Sequence, residues 1–192
     1  MIIALTGGIG SGKTTIAKLF ETMGCLLYNS DEKAKDLYHQ TEIKKRVIQL
    51  LGSEAYSANG SLNTTYIAEV IFKDKTALES LNAIIHPALE KDFEIYVNQQ
   101  HPDCIIIKES ALIFETDSYK KFKTIILVTA PLEQKIKRVM QRNKMPRENV
   151  VKRMSAQWPD EQKIPLANYI ISNNDTEAVI PQVISVLKKI KS

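Results

Sequence analysis

The chain opens Met1-Ile2-Ile3-Ala4-Leu5-Thr6-Gly7-Gly8-Ile9-Gly10-Ser11-Gly12-Lys13-Thr14. From Gly7 to Thr14 it fits the pattern G-x-x-x-x-G-K-[ST] at every fixed position, and the apolar run Met1–Leu5 before it reads as a strand. Glycines let the backbone curl so that successive N–H groups point at phosphate oxygens. Lys13 brings a cation to the β- and γ-phosphates, and Thr14 offers a hydroxyl to Mg²⁺. A helix is expected from about Gly12, with Ile16, Ala17, Leu19 and Phe20 on its apolar side. Its dipole and unpaired N–H groups favour the same bound polyphosphate.

Composition bounds what surrounds this loop. At 192 residues and 44% hydrophobic content, the chain is long enough for one well-packed domain with an inserted subdomain. No apolar run approaches the roughly 18 residues of a membrane span, and no basic, apolar leader precedes the first strand, so the cytoplasm is the expected location. Cys25 and Cys104 lie far apart and neither belongs to a C-x-x-C pair, which argues for reduced thiols over a zinc site or a disulfide framework. A net charge of +4 suits anionic small molecules. With 7% aromatic residues and no basic run interleaved with Phe or Tyr, a nucleic-acid surface is not expected.

Four further short apolar segments read as strands: Cys25–Asn29, Cys104–Lys108, Thr124–Thr129 and Asn168–Ser172. Their alternation with helical stretches predicts an α/β fold of the P-loop NTP-binding kind, a five-stranded parallel sheet with helices on both faces. Ligands in such folds sit beyond the C-terminal strand ends, where Gly7–Thr14, Asp31, Glu109–Glu115 and the segment after Thr129 emerge. The expected organisation is a single domain: a core of 1–31, 102–130 and 158–192, a helical insertion at 32–101 and a helical lid at 131–157. Within the insertion, Lys33–Leu51, Ser61–Phe72 and Lys75–Gln100 carry helical patterns, the last broken at His86-Pro87 because proline disfavours the helical state of the residue before it. The insertion either receives an acceptor or caps the sheet without ligand. Pro131–Gln157 reads as two helices parted at Met145-Pro146. Arg138 and Arg142 stand one turn apart on one face, suited to phosphate oxygens by the planar guanidinium fork.

Phosphoryl transfer to a hydroxyl needs a carboxylate near the loop to orient the acceptor and take its proton. Asp31, just past the second strand, is placed for that role or for capping a helix. Six stretches in order then carry a resemblance: Ala4–Thr14, Asp31, Leu81–Pro87 (L-N-A-I-I-H-P), Ala111–Glu115 (A-L-I-F-E), Lys137–Arg142 (K-R-V-M-Q-R) and Ile170–Asn174 (I-I-S-N-N). Together they resemble the dephospho-CoA kinase family over nearly the whole chain. The resemblance implies ATP held by Gly8, Ile9, Gly10, Ser11, Gly12, Lys13, Thr14 and Thr15, with Mg²⁺ on Thr14. It also implies Asp31 as general base toward the 3′-hydroxyl of dephospho-CoA, Arg142 with Arg138 as lid cations, and acceptor binding by the helical insertion. Asn29-Ser30-Asp31 stands where the family has D-A-D, and Ala111 where it has proline. Glu115 is read as either a ligand contact or an anchor.

Overall fold

A computed structural model describes residues 1–191, apart from the side chain of Phe72. The chain divides into two compact units, one of Met1–Asn29 with His101–Ser192 and one of Ser30–Gln100.

The first unit is built on a sheet of β1 (Ile2–Thr6), β2 (Leu26–Asn29), β3 (Ile106–Glu109), β4 (Ile125–Thr129) and β5 (Tyr169–Ser172). All pairings are parallel and the order is β2-β3-β1-β4-β5, so β1 and the loop that follows it lie at the centre. Successive side chains of a strand point to opposite faces. Ile3 and Leu5 thus join Ile107, Ile126, Val128 and Ile171 in one buried cluster, closed by Ile16, Ala17 and Phe20 of α1 (Lys13–Thr22) and by Val183, Val186 and Leu187 of α9 (Val179–Lys191). Ala4 faces the other way, packing with Ile125, Leu127, Ile113 and Phe114. Burial on both faces explains why these strands read as continuous apolar runs rather than alternating ones.

The unit also carries α6 (Leu132–Asn143), α7 (Arg147–Met154) and the single turn α8 (Asp160–Lys163). The expected parting at Met145-Pro146 is present, with Lys144 in the left-handed region at φ 49°. Ile136 and Val139 of α6 pack on Val150 of α7, with Ile9 of the phosphate loop against the same small cluster.

The second unit is helical: α2 (Ser30–Leu37), α3 (Thr41–Leu51), α4 (Thr64–Lys73) and α5 (Lys75–Asn98). Its core joins Ile43, Val47 and Leu51 of α3 to Leu81, Ile84 and Ile85 of α5 and Ile67 of α4. Asn63 caps α4 by accepting from Tyr66 N–H at 3.1 Å, and Asp74 caps α5 by accepting from Thr76 and Ala77 N–H. Two expectations are corrected here. Lys33–Leu51 is two helices, parted at Tyr38-His39-Gln40. Helix α5 runs unbroken through His86-Pro87. Ala83, whose carbonyl loses its intrahelical donor at proline, and Pro87 itself both lie on the exposed face, where the carbonyl is open to solvent rather than buried unpaired. Leu81, Ile84 and Ile85 hold the opposite face in the core across the same turn.

Candidate active site

The loop between β1 and α1 has the conformation that its glycines were expected to permit. Gly10 and Gly12 take φ of 82° and 91°, a region that side chains other than glycine adopt rarely. Close packing reinforces the requirement. A Cβ on Gly10 would run into the carbonyl of Lys135 in α6 and lie 2.9 Å from Val139 Cγ2, while one on Gly12 would meet Asn173 Nδ2. That amide instead donates to Ser11 O at 2.8 Å, tying the loop to the chain beyond β5.

The functional side chains of the loop rest on oxygen acceptors. Lys13 Nζ donates to Gly7 O at 2.8 Å and Gly8 O at 3.2 Å, and the lysine is buried. Thr14 Oγ1 donates to Glu109 Oε1 at 2.8 Å. Glu109 ends β3 in register with Leu5 on one side and Asn29 on the other, and Asn29 Nδ2 donates to its second oxygen at 3.2 Å. Glu109 is 2% exposed. A threonine hydroxyl beside a carboxylate is a set of hard oxygen donors, which fits Mg²⁺; such ions are usually held by one or two carboxylates plus substrate phosphates. A loop that directs N–H groups inward and a lysine already seated on oxygens likewise fits a polyphosphate.

Sequence reading singled out neither Glu109 as a partner of Thr14 nor three residues from α6 and the segment after α7. Gln157 Oε1 accepts Ile9 N–H at 2.8 Å. Lys135 Nζ pairs with Asp160 Oδ2 at 2.8 Å, with side chains only 12% and 14% exposed. All three polar ends gather over Gly8: a Cβ there would lie 3.6 Å from Asp160 Oδ1 and Lys135 Nζ and 3.8 Å from Gln157 Oε1. One signal was available, because Lys135, Arg138 and Arg142 follow a 3-then-4 spacing that makes a single helical stripe. Beside them opens a cavity of about 740 Å³, lined by Gly8, Ile9, Lys135, Arg147, Trp158 and Asp160 among others.

The two expected lid arginines are placed differently from one another. Arg138 is drawn toward the chain after β5, its Nη2 donating to Asn173 O at 3.0 Å and Asp175 Oδ1 at 2.6 Å. Arg142 is exposed, and its Nε donates to the adjacent Asn143 Oδ1 at 2.9 Å. Arg147 grips Glu133 through two bonds of 2.6 and 2.7 Å, and that guanidinium holds the Glu133 carboxyl below the usual range. Glu115 is an anchor within the first unit. Its Oε1 accepts from Trp158 N–H at 2.8 Å and pairs at 2.8 Å with Lys163, whose side chain is wholly buried. Asp31 lies in the first turn of α2, exposed, two residues after the end of β2.

The likeness to known proteins runs through these same elements. The dephospho-CoA kinase family model matches residues 1–178. A dephospho-CoA kinase of Bacteroides fragilis is 35% identical over 188 residues, covering 96% of this chain and 90% of its own. Among solved structures, TT1252 of Thermus thermophilus aligns with a TM-score of 0.89 at 26% identity, over 100% of this chain and 98% of that one. A dephospho-CoA kinase from Campylobacter jejuni shares the fold, with a TM-score of 0.70 at 22% identity over 98% and 96% of the two chains. Since both the family model and a relative above 30% identity extend from the phosphate loop through β5, the chain belongs to the dephospho-CoA kinase family.

Proposed function

We propose that this chain transfers the γ-phosphoryl group of ATP to the ribose 3′-hydroxyl of dephospho-CoA, giving coenzyme A and ADP, and that it does so in the cytoplasm. The observation that carries the reading is the family match over residues 1–178, which contains an intact phosphate loop.

Backbone N–H groups from Gly8 to Thr15 cradle the phosphates, and Lys13 exchanges the carbonyls of Gly7 and Gly8 for phosphate oxygens. Thr14 and Glu109, joined by a 2.8 Å hydrogen bond, are the oxygen donors that would hold Mg²⁺. When bound, that ion neutralises charge on the β- and γ-phosphates. Asp31 accepts the proton of the 3′-hydroxyl as its oxygen bonds to the γ-phosphorus, and the bond from that phosphorus to the bridging oxygen of ADP breaks in line. Arg142 acts as the lid cation. Arg138, bonded to Asn173 and Asp175, steadies the turn that also holds Ser11. The helical unit Ser30–Gln100 receives the acceptor.

Asp31→Asn tests this assignment. Turnover is expected to fall about 10²-fold or more, the usual worth of a positioned base, with ATP binding retained. Near-wild-type turnover removes Asp31 from the mechanism.

A further inference from the structure

The reading from sequence placed the lid's cationic work on Arg138 and Arg142, yet the side chain that α6 brings to the front of the phosphate loop is Lys135. Its carbonyl sets the space that Gly10 must leave open, and its ammonium is 3.6 Å from a Cβ position at Gly8. The location along the loop is informative. A loop lysine of this motif serves the β- and γ-phosphates, and Lys13 Nζ sits on the carbonyls of Gly7 and Gly8. Gly8 therefore marks the end of the loop that faces the terminal phosphate, away from the helix N-terminus at Lys13 and Thr14. Lys135 stands at that end and lines the cavity of about 740 Å³ that opens beside it.

We propose that Lys135 is a catalytic cation, binding the terminal phosphoryl group of the nucleotide during transfer and held by Asp160 until that group arrives. Asp160 alone is a modest counterion for an ammonium that is 12% exposed, since desolvating both partners offsets much of their attraction. A terminal phosphate carries more negative charge than a carboxylate and more oxygens to accept the three N–H donors, so the ammonium exchanges one partner for the other. Asp160 keeps Lys135 extended toward Gly8, and Gln157, fixed on Ile9 N–H, closes the same corner. Lys135 offsets charge on the oxygens of the moving phosphoryl group while the acceptor oxygen bonds to phosphorus and the bond to ADP breaks. The proposal rests on nucleotide binding by the loop, not on which hydroxyl accepts the phosphoryl group.

The test compares ATP and ADP, which differ by the group Lys135 is said to bind. Affinities for both, each with Mg²⁺, are measured by calorimetry without acceptor for the full chain, Lys135→Met, Lys135→Arg and Asp160→Asn, after thermal unfolding has identified which variants are folded. Lys135→Met is expected to weaken ATP about tenfold, the loss of roughly one charged contact, while leaving ADP within about twofold. Lys135→Arg is expected to keep most of the preference for ATP. Asp160→Asn, which removes the competing carboxylate and leaves the cation, is expected to hold or raise the ratio of ATP to ADP affinity. Equal weakening of both nucleotides by Lys135→Met, or a ratio that falls in Asp160→Asn, overturns the proposal in favour of a pair that only fastens α8 to α6. Should Lys135→Met fail to fold, Lys135→Gln takes its place, with the same selective loss of ATP affinity expected and equal weakening of both nucleotides overturning the proposal. No acceptor enters any arm, so the result is independent of the choice of phosphoryl acceptor.

Discussion

Lys13 is held by two carbonyl oxygens in a buried position, so its ammonium is already partly stripped of water and aimed along the loop. A donor prepared in this way does not have to reorganise when charge develops on the phosphoryl oxygens, and fixed donors of that kind are worth about 2–4 kcal/mol in the transition state. Lys13→Ala is expected to lower kcat/KM correspondingly, by about 30- to 1,000-fold, with the far-ultraviolet circular dichroism unchanged. An unchanged rate would mean that the loop does not serve the transferring group. The loop residues were readable from the sequence because their pattern is local: glycine, lysine and hydroxyl positions lie within eight consecutive residues. Glu109 and Gln157 were not, because they meet Thr14 and Ile9 across separations of 95 and 148 residues. Only the register of β1 with β3 and the return of the chain after α7 bring them there.

Elements show the same division between local and distant information. Strand positions and the parting of α6 from α7 followed from apolar runs and from Pro146. The predicted break of α5 at Pro87 did not occur, since tertiary packing of Leu81, Ile84 and Ile85 outweighs one lost hydrogen bond on a wetted face. The ion pair of Lys163 with Glu115 is the clearest element-scale device that no motif displays. It fastens α8 to the segment between β3 and β4, and through Trp158 N–H it sets the path of the residues that follow Gln157. Removing Lys163 leaves the largely buried Glu115 carboxylate without its counterion, so Lys163→Met is expected to lower unfolding free energy by about 3 kcal/mol. The double variant Glu115→Met with Lys163→Met is expected to recover much of that loss, because two apolar side chains of similar volume leave no charge unpaired. Chemical denaturation of the three proteins checks this. A double variant as unstable as the sum of the single ones would contradict it.

At the scale of the whole molecule, the sheet places the phosphate loop centrally and the helical unit carries its own apolar core. That second core contains two titratable groups whose folded state can be followed directly. Burial pushes the Tyr38 and Tyr56 phenols above their ordinary value, and the neighbouring Tyr56 adds to the effect at Tyr38. The Tyr56 hydroxyl donates to Tyr38 O at 2.7 Å, a bond that only the neutral phenol makes. In the unfolded chain both phenols ionise from about pH 10, whereas in the folded one they stay protonated to higher pH. Their contribution is therefore complete below that range and is lost as pH rises toward the folded values. Denaturation midpoints are expected to fall more steeply with pH above about 10 in the natural chain than in Tyr56→Phe, and equal slopes would contradict the assignment. The fold class and the family were readable at this scale because six separated stretches kept their order. How α6 and the segment after α7 meet the loop was not, since it depends on Lys135, Gln157 and Asp160 as they fold around Gly8.

The central claim is transfer from ATP to dephospho-CoA, and one assay addresses it most directly. ADP release is measured for the purified chain with ATP and Mg²⁺, alone and with dephospho-CoA, adenosine, AMP or shikimate, and the mass of each product is recorded. Release confined to dephospho-CoA, with a product heavier by one phosphoryl group, is the result expected. Release with another of these acceptors in its place, or equally with none, would contradict it.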